Sequence, residues 1–310
     1  MHRILCSCFL FAGICCAQQP ASSSPSTAAL DLVKQGQKLN SEGKQDEALA
    51  LYRQALEQSP NLYEAHLAAG IALDLKGEYA EARDHYSHAL DLAPLEARVR
   101  VLEATAISYA FEGKSDEAER FEAQVFSVRS GNSDFIGAAE TANELGRICL
   151  ESGDVPCATK WYQAGYETAL QKPNLADADK NLWLFRWEHA QARIAARSGE
   201  PEAAQKHVIA AKAALDKANN PDQARFFPYL TGYVAFYTGD NKTGITELLK
   251  ADQRDPMILA LLGEAYEKAG NQKEAQGFYR KVFTSNTHNP ANAFARPLAR
   301  KKLGGAGACD

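Results

Sequence analysis

A glycine that keeps fixed distances to a second glycine, a small residue, an aromatic and a proline constrains this chain more than any other feature. In the stretch from Tyr63 to Pro94, Gly77 follows Gly70 by seven residues and precedes Ala82, Tyr86, Ala89 and Pro94 by five, nine, twelve and seventeen. Apolar residues run at helical spacing on both sides of this one breaker, which predicts two amphipathic helices and a turn. Gly70 and Ala82 are small where two antiparallel helices would cross, so the backbones can approach closely and Tyr86 fills the space beside them. Pro94 cannot extend a helix and starts the next unit. The same offsets hold around Gly43, with Gly36 before it and Ala48, Tyr52, Ala55 and Pro60 after it, and Gly43 lies 34 residues before Gly77.

A period of about 34 residues in helix-turn-helix units is the signature of the tetratricopeptide repeat, and these two segments resemble that family closely. The phase continues with Gly113 and Ala118, then Gly146, Gly153, Ala158 and Tyr162, then Gly199 and Ala204, then Gly232, Gly239 and Gly244, and finally Gly263, Gly270, Ala275 and Tyr279. Glu122 replaces the aromatic in the third unit, and the fifth has a long amphipathic first segment from Asp177 to Arg197. Arg129 to Ser133 reads as a polar loop. The resemblance implies an all-α, right-handed superhelical solenoid of about seven repeats. Repeats one to three are expected over 29–130 and degenerate repeats four to seven over 131–285. A helix within 286–303, interrupted or shortened at Pro297, is expected to cap the open end of the last repeat. A flexible tail would follow over 304–310.

The N-terminus is read separately. Arg3 precedes an apolar run from Ile4 to Ala17, too short to span a bilayer and ending in small residues, which predicts an export signal cleaved after Ala17. Residues 18–28, rich in Pro, Ser and Gln, would be a disordered leader. A lipoprotein signal is the competing reading because Cys15 and Cys16 lie in the run, but Ile14 is bulky where such signals carry a small residue. The mature chain would keep Cys149, Cys157 and Cys309 of the seven cysteines. Cys149 and Cys157 face each other across the Gly153 turn. Helix axes about 8–10 Å apart are wider than the roughly 7 Å limit for bonded Cα atoms, so unpaired thiols are favoured and pairing is left open. A formal net charge of -5 with 24% charged residues argues against nucleic acid as a partner.

Catalytic and metal signatures fail on context. Gly113-Lys114-Ser115 resembles the end of a phosphate loop, but Ser108 stands where that loop needs glycine. No G-x-S-x-G, H-E-x-x-H or paired C-x-x-C occurs. His85 and His88, one turn apart beside Asp84 and Asp91, read as a solvated helix face. No catalytic residue, cofactor or metal is therefore assigned. Trp161, Trp183 and Trp187 and the repeat tyrosines Tyr52, Tyr86, Tyr162 and Tyr279 read as packing.

The freedom left in such a stack lies on the concave face, lined by first helices. The phase projects Arg147, Arg186, His189, Arg193 and Arg197 there, beside Phe226, Tyr229, Tyr233, Phe236 and Tyr237. This cationic and aromatic wall suits an extended peptide bearing carboxylates and apolar side chains. In the alternative, the arginines are a solvated face paired with Glu188 or Glu200. The family's chaperone-tail clamp does not carry over, because Val33, Gln37 and Ala68 stand where lysine and asparagine would be needed. The expected function is a non-catalytic protein- or peptide-binding scaffold, periplasmic or secreted. The alternatives are a lipid-tethered assembly component working through its convex face or ends, and an enzyme sited in the irregular middle.

Overall fold

The structure is a computed structural model that describes residues 26–304. The expected signal and most of the expected leader and tail lie outside those residues. All regular elements among the described residues are helices. The first hairpin pairs α1 (Thr27–Ser41) with α2 (Gln45–Gln58), the second α3 (Tyr63–Lys76) with α4 (Tyr79–Leu92), and the third α5 (Leu95–Phe111) with α6 (Ser115–Gly131). The fourth joins α7 (Phe135–Ser152) to α8 (Val155–Leu170), and the fifth α9 (Asp177–Arg197) to α10 (Pro201–Ala218). A single helical turn, α11 (Pro221–Ala224), leads into the sixth, α12 (Phe227–Tyr237) with α13 (Asn241–Leu248), and the seventh, α14 (Pro256–Lys268) with α15 (Gln272–Val282). Helix α16 (Pro290–Lys302) ends the described chain. No helix among the described residues is long and apolar enough to cross a membrane.

Two boundaries differ from expectation. Ser26 caps α1 by accepting the Ala29 N–H, so the last residues assigned to the leader belong to the first hairpin. The expected loop from Arg129 to Ser133 is mostly helix, because the Arg129 side chain donates to Gly137 O and Thr141 Oγ1 at 2.9 Å and ties the end of α6 to α7.

Each hairpin turns at a glycine in the left-handed region: Gly43, Gly77, Gly113, Gly153, Gly199, Gly239 and Gly270 all have φ between 75° and 96°. Between the helices of a pair, one small residue meets one large one. A Cβ built on Gly70 would lie 2.5 Å from Cε1 of Tyr86, and one on Gly146 would lie 2.8 Å from the Tyr162 ring. Gly36 and Gly263 are closed off in the same way by Tyr52 and Tyr279. Where the first partner has a methyl group, the ring is gone: Ala106 stands at the same offset from Glu122, and Ala192 from Val208. Gly232 meets Leu248 instead. The third repeat lacks its aromatic because Ala106 leaves no room for one. Glu122 is fully buried there, with neither carboxylate oxygen hydrogen-bonded. Burial, and then Glu144 and Glu103, hold its carboxyl well above the usual carboxylate range.

The structure pairs the two hairpin cysteines, correcting the expectation of free thiols. Cys149 and Cys157 form a disulfide with Cα atoms 5.6 Å apart. The axis separation misleads here because both residues sit on the facing sides of their helices, directly beside the turn, where Cα atoms are much closer than axes.

Helix α16 does more than cap the seventh hairpin. It packs on α14 and α15 with one side and on α5 and α7 with the other, so the last repeat is joined to the early ones. The helix continues past Pro297, where one backbone bond is lost, with contacts on both sides to hold it. The segment before it is anchored by polar contacts. His288 Nε2 lies 2.8 Å from Asp74 Oδ2, and Tyr86 and Ser108 each donate a hydroxyl to the same carboxylate at 2.7 Å. The Asp74 side chain has no exposure and that of His288 only 7%. Gln45 donates to Asn286 at 3.1 Å, and Arg300 donates to Lys76 O at 3.0 Å. Ala293 and Phe294 complete a core with Leu75, Ile107, Phe111 and Ile148.

The close approach of paired helices is testable in the first repeat. Gly36→Ala is expected to destabilise the protein by about 1–3 kcal/mol through overpacking, read by urea unfolding. The double variant Gly36→Ala/Tyr52→Val, which copies the Ala192 and Val208 pair, should lose less than the two single variants add up to. Additive losses would disprove the steric interlock.

Candidate binding cavity

Among first helices of neighbouring hairpins, α1 packs on α3, α3 on α5 and α9 on α12; α5 and α7 do not meet closely, and neither do α7 and α9. The opening between α7 and α9 is a cavity of about 410 Å³. Its wall from α7 carries Glu140, Asn143, Glu144 and Arg147, spaced so that one helix face presents all four. The wall from α9 carries Phe185, Arg186, His189 and Arg193, with Tyr162 of α8 at the back and Gln223 and Phe226 from the α11 region at the rim.

Arg193 is the deepest charge, only 6% exposed. It donates to Tyr162 OH at 2.8 Å and has the rings of Tyr162, Tyr233 and Tyr229 at 5.4, 5.8 and 6.0 Å. Among the described residues no carboxylate pairs with it, and its Nε has no hydrogen-bond partner. Arg147 is half-buried and faces Asp255 at 3.7 Å, but its Nε and Nη2 have no hydrogen bond. The hydroxyls of Tyr229 and Tyr233 are likewise buried and unpartnered. Arg186 lies over the Trp183 ring at 4.5 Å, with Glu140 at 3.7 Å.

His189 and Glu144 are both shifted toward their neutral forms. Burial, followed by Arg193 and Arg147, holds His189 well below the usual imidazole range, so the ring is neutral and contacts Phe185 and Tyr229. Glu144 is reachable from the hollow, but the enclosing walls and then Glu103 push its carboxyl up to about 7. At neutral pH the cavity thus presents two guanidinium groups with buried donor atoms to spare. Each unmet donor of this kind costs about 1–3 kcal/mol, and more when charged. An anion accepting from them would recover that cost.

Five of the ten residues projected from the repeat phase, Arg147, Arg186, His189, Arg193 and Phe226, line the cavity, and Tyr229 lies against His189 just behind them. The other four belong to the interior or to the next level. Tyr233 is fully buried, and Phe236, 4% exposed, sits beneath Lys268 at 3.7 Å in the core shared with α14. Arg197 donates to Tyr237 at 2.9 Å and faces Glu151 at 3.6 Å. The solvated-face alternative fails, since Glu188 is bound to His207 at 2.6 Å and the arginines point inward. Sequence reasoning missed Glu140, Asn143 and Glu144, although their spacing from Arg147 places them on its helix face. It also read Tyr162 as packing alone. The ring does pack on Gly146, but its hydroxyl binds Arg193.

The pH dependence of the cavity follows from Glu144. Below about pH 7 its carboxyl is protonated and neutral; above it, a negative charge appears beside the arginines. Uptake of an anion that is ionised throughout, followed by fluorescence anisotropy, should therefore weaken between pH 6 and pH 8, and Glu144→Gln should flatten the profile. A profile that Glu144→Gln leaves unchanged would dissociate this carboxyl from the site.

Comparison with known proteins bears on the frame around this cavity. Residues 36–74 match the family model described as TPR repeat. The chain is similar in fold to a tetratricopeptide repeat protein from Parabacteroides merdae ATCC 43184, with a TM-score of 0.54 at 12% identity, covering 88% of this chain and 99% of that one. It is also similar to the apo form of RapI, with a TM-score of 0.57 at 12% identity and the same coverage. No curated protein matches in sequence.

Proposed function

We propose that this chain, whose residues 36–74 match the TPR repeat model and whose fold is similar to that of a tetratricopeptide repeat protein, is a protein-binding scaffold that captures a short acidic segment of a partner protein in the cavity between α7 and α9. The observation that carries this reading is the pair of arginines, Arg147 and Arg193, whose guanidinium nitrogens are buried against the cavity with too few acceptors. A carboxylate seated between them can accept from both and from Arg186, while Phe185 and Phe226 supply apolar contact to the neighbouring side chain. The partner segment is short, because α16 and the residues before it occupy the inner side of the early repeats and leave no continuous groove. The site is non-catalytic in this reading. His189, the cavity's imidazole, makes ring contacts and, among the described residues, no hydrogen bond that would activate a nucleophile.

Binding is tested with fluorescent peptides carrying an aspartate or glutamate beside an apolar residue, against copies with the carboxylate replaced by its amide. Arg147→Gln/Arg186→Gln should lower affinity for the acidic peptides by about 3 kcal/mol or more, the scale of two charge-assisted hydrogen bonds, with the melting temperature little changed. Equal capture of the amide copies would end the proposal.

We further propose that the protein is exported and works in the periplasm or outside the cell. Two features support this: the Arg3 and Ile4-to-Ala17 signal pattern, and the Cys149–Cys157 disulfide, a bond that persists in oxidising compartments. Intact mass of the native protein reads both the mature N-terminus and the cystine. A chain beginning at Gln18 with the bond in place is expected, an acylated cysteine would mark the lipid-tethered alternative, and an uncleaved, fully reduced chain would refute export.

A further inference from the structure

Three imidazoles from both helices of the second hairpin converge at a place that the anion-binding cavity does not touch. His66, at the start of α3, has its Nδ1 3.0 Å from Nδ1 of His85 on α4. Its ring centroid is 5.2 Å from that of His85 and 5.2 Å from that of His88, one turn further along α4. His66 and His85 are half-buried, and His88 is exposed.

The protonation of His66 can be read from its other nitrogen. Nε2 lies 3.3 Å from the carbonyl oxygen of Pro60, which can only accept, so Nε2 carries the hydrogen. Nδ1 is then a bare lone pair aimed at His85. A histidine held by a backbone carbonyl through one nitrogen, with the other presented to its neighbours, has the arrangement that orients imidazoles around metals. The spacing also fits. Two nitrogens bound at about 2.0–2.1 Å to one tetrahedral ion sit roughly 3.3 Å apart, a few tenths of an ångström beyond the observed separation. His88 needs only a side-chain rotation to supply a third nitrogen, and its exposure leaves it free to make one.

We propose that His66, His85 and His88 form a binding site for a borderline divalent metal ion, Zn²⁺ being the type case, with water in the fourth position. The ion takes the place of the hydrogen shared between the two Nδ1 atoms, and His85 shifts to the tautomer that carries its hydrogen on Nε2, so both ligands stay neutral. Because the ligands come from α3 and α4, the bound metal staples the hairpin whose Asp74 and Tyr86 hold His288 and the C-terminal segment. The site therefore adds a contact across one of the hairpins on which ring closure depends.

The test uses the full chain without a histidine tag, stripped with chelator and titrated with ZnCl₂ by calorimetry, then with CoCl₂ by visible absorption. One equivalent of Zn²⁺, a tetrahedral Co²⁺ band and a raised melting temperature are expected. His66→Ala and His85→Ala should each weaken binding about tenfold or more, the scale on which disturbing a metal's surroundings registers, while His207→Ala leaves it unchanged. His88→Ala, on an exposed side chain, keeps the test decisive if a half-buried variant misfolds. Lack of saturable binding, or binding that survives both His85→Ala and His88→Ala, overturns the proposal.

Discussion

The structure depends on how closely two helices can lie within each hairpin. That distance is set by a glycine on the first helix and the tyrosine ring laid over it from the second, as in Gly70 with Tyr86 and Gly146 with Tyr162. The ring covers the bare backbone so tightly that a single methyl group cannot be added. Beneath it Ala82 and Ala158, both fully buried, complete the contact. Where the glycine has become alanine the tyrosine is gone as well, and in the sixth hairpin Gly232 meets Leu248 instead of a ring. Ala106 faces Glu122 and Ala192 faces Val208, so the irregular repeats are held by the same interlock with different side chains.

The third and fifth hairpins, where alanine replaces the interlocking glycine, flank the part of the molecule that departs from a simple stack. The longer first helices of the middle hairpins, α7 and α9, stand apart, and the space between them becomes the cavity. On the opposite side the C-terminal segment crosses to the early repeats. There the buried Asp74 is satisfied by His288, Tyr86 and Ser108 together. A buried carboxylate with three partners is stable only when all of them are in place. The segment is thus part of the fold, and it removes the inner face of the early repeats from the surface that a partner could reach.

Much of this was legible in the chain. The seven turn glycines, the small residues five positions later and the repeat tyrosines lie where their spacing puts them, because helical phase is a local property. The same phase found Arg147, Arg186, His189 and Arg193. It could not distinguish them from Tyr233 and Phe236, which lie on the same projected wall but are sealed into the core with α14. Periodicity gives the direction of a side chain, not what arrives from elsewhere to cover it. The disulfide was missed for a related reason: a typical distance between helix axes says little about two Cα atoms turned toward each other beside a tight turn.

The sequence by itself determined the repeat, its breaks, the hairpin turns and the rows of charge and aromatic rings, since each follows from offsets of a few residues along one helix or across one turn. The tertiary structure alone decided two arrangements between distant parts of the chain. It brought His288 to Asp74 across 214 residues and parted α7 from α9 to expose two underpaired arginines. Those depend on the accumulated twist of the whole stack and on where its last helix returns, quantities to which every hairpin contributes and which no single offset records.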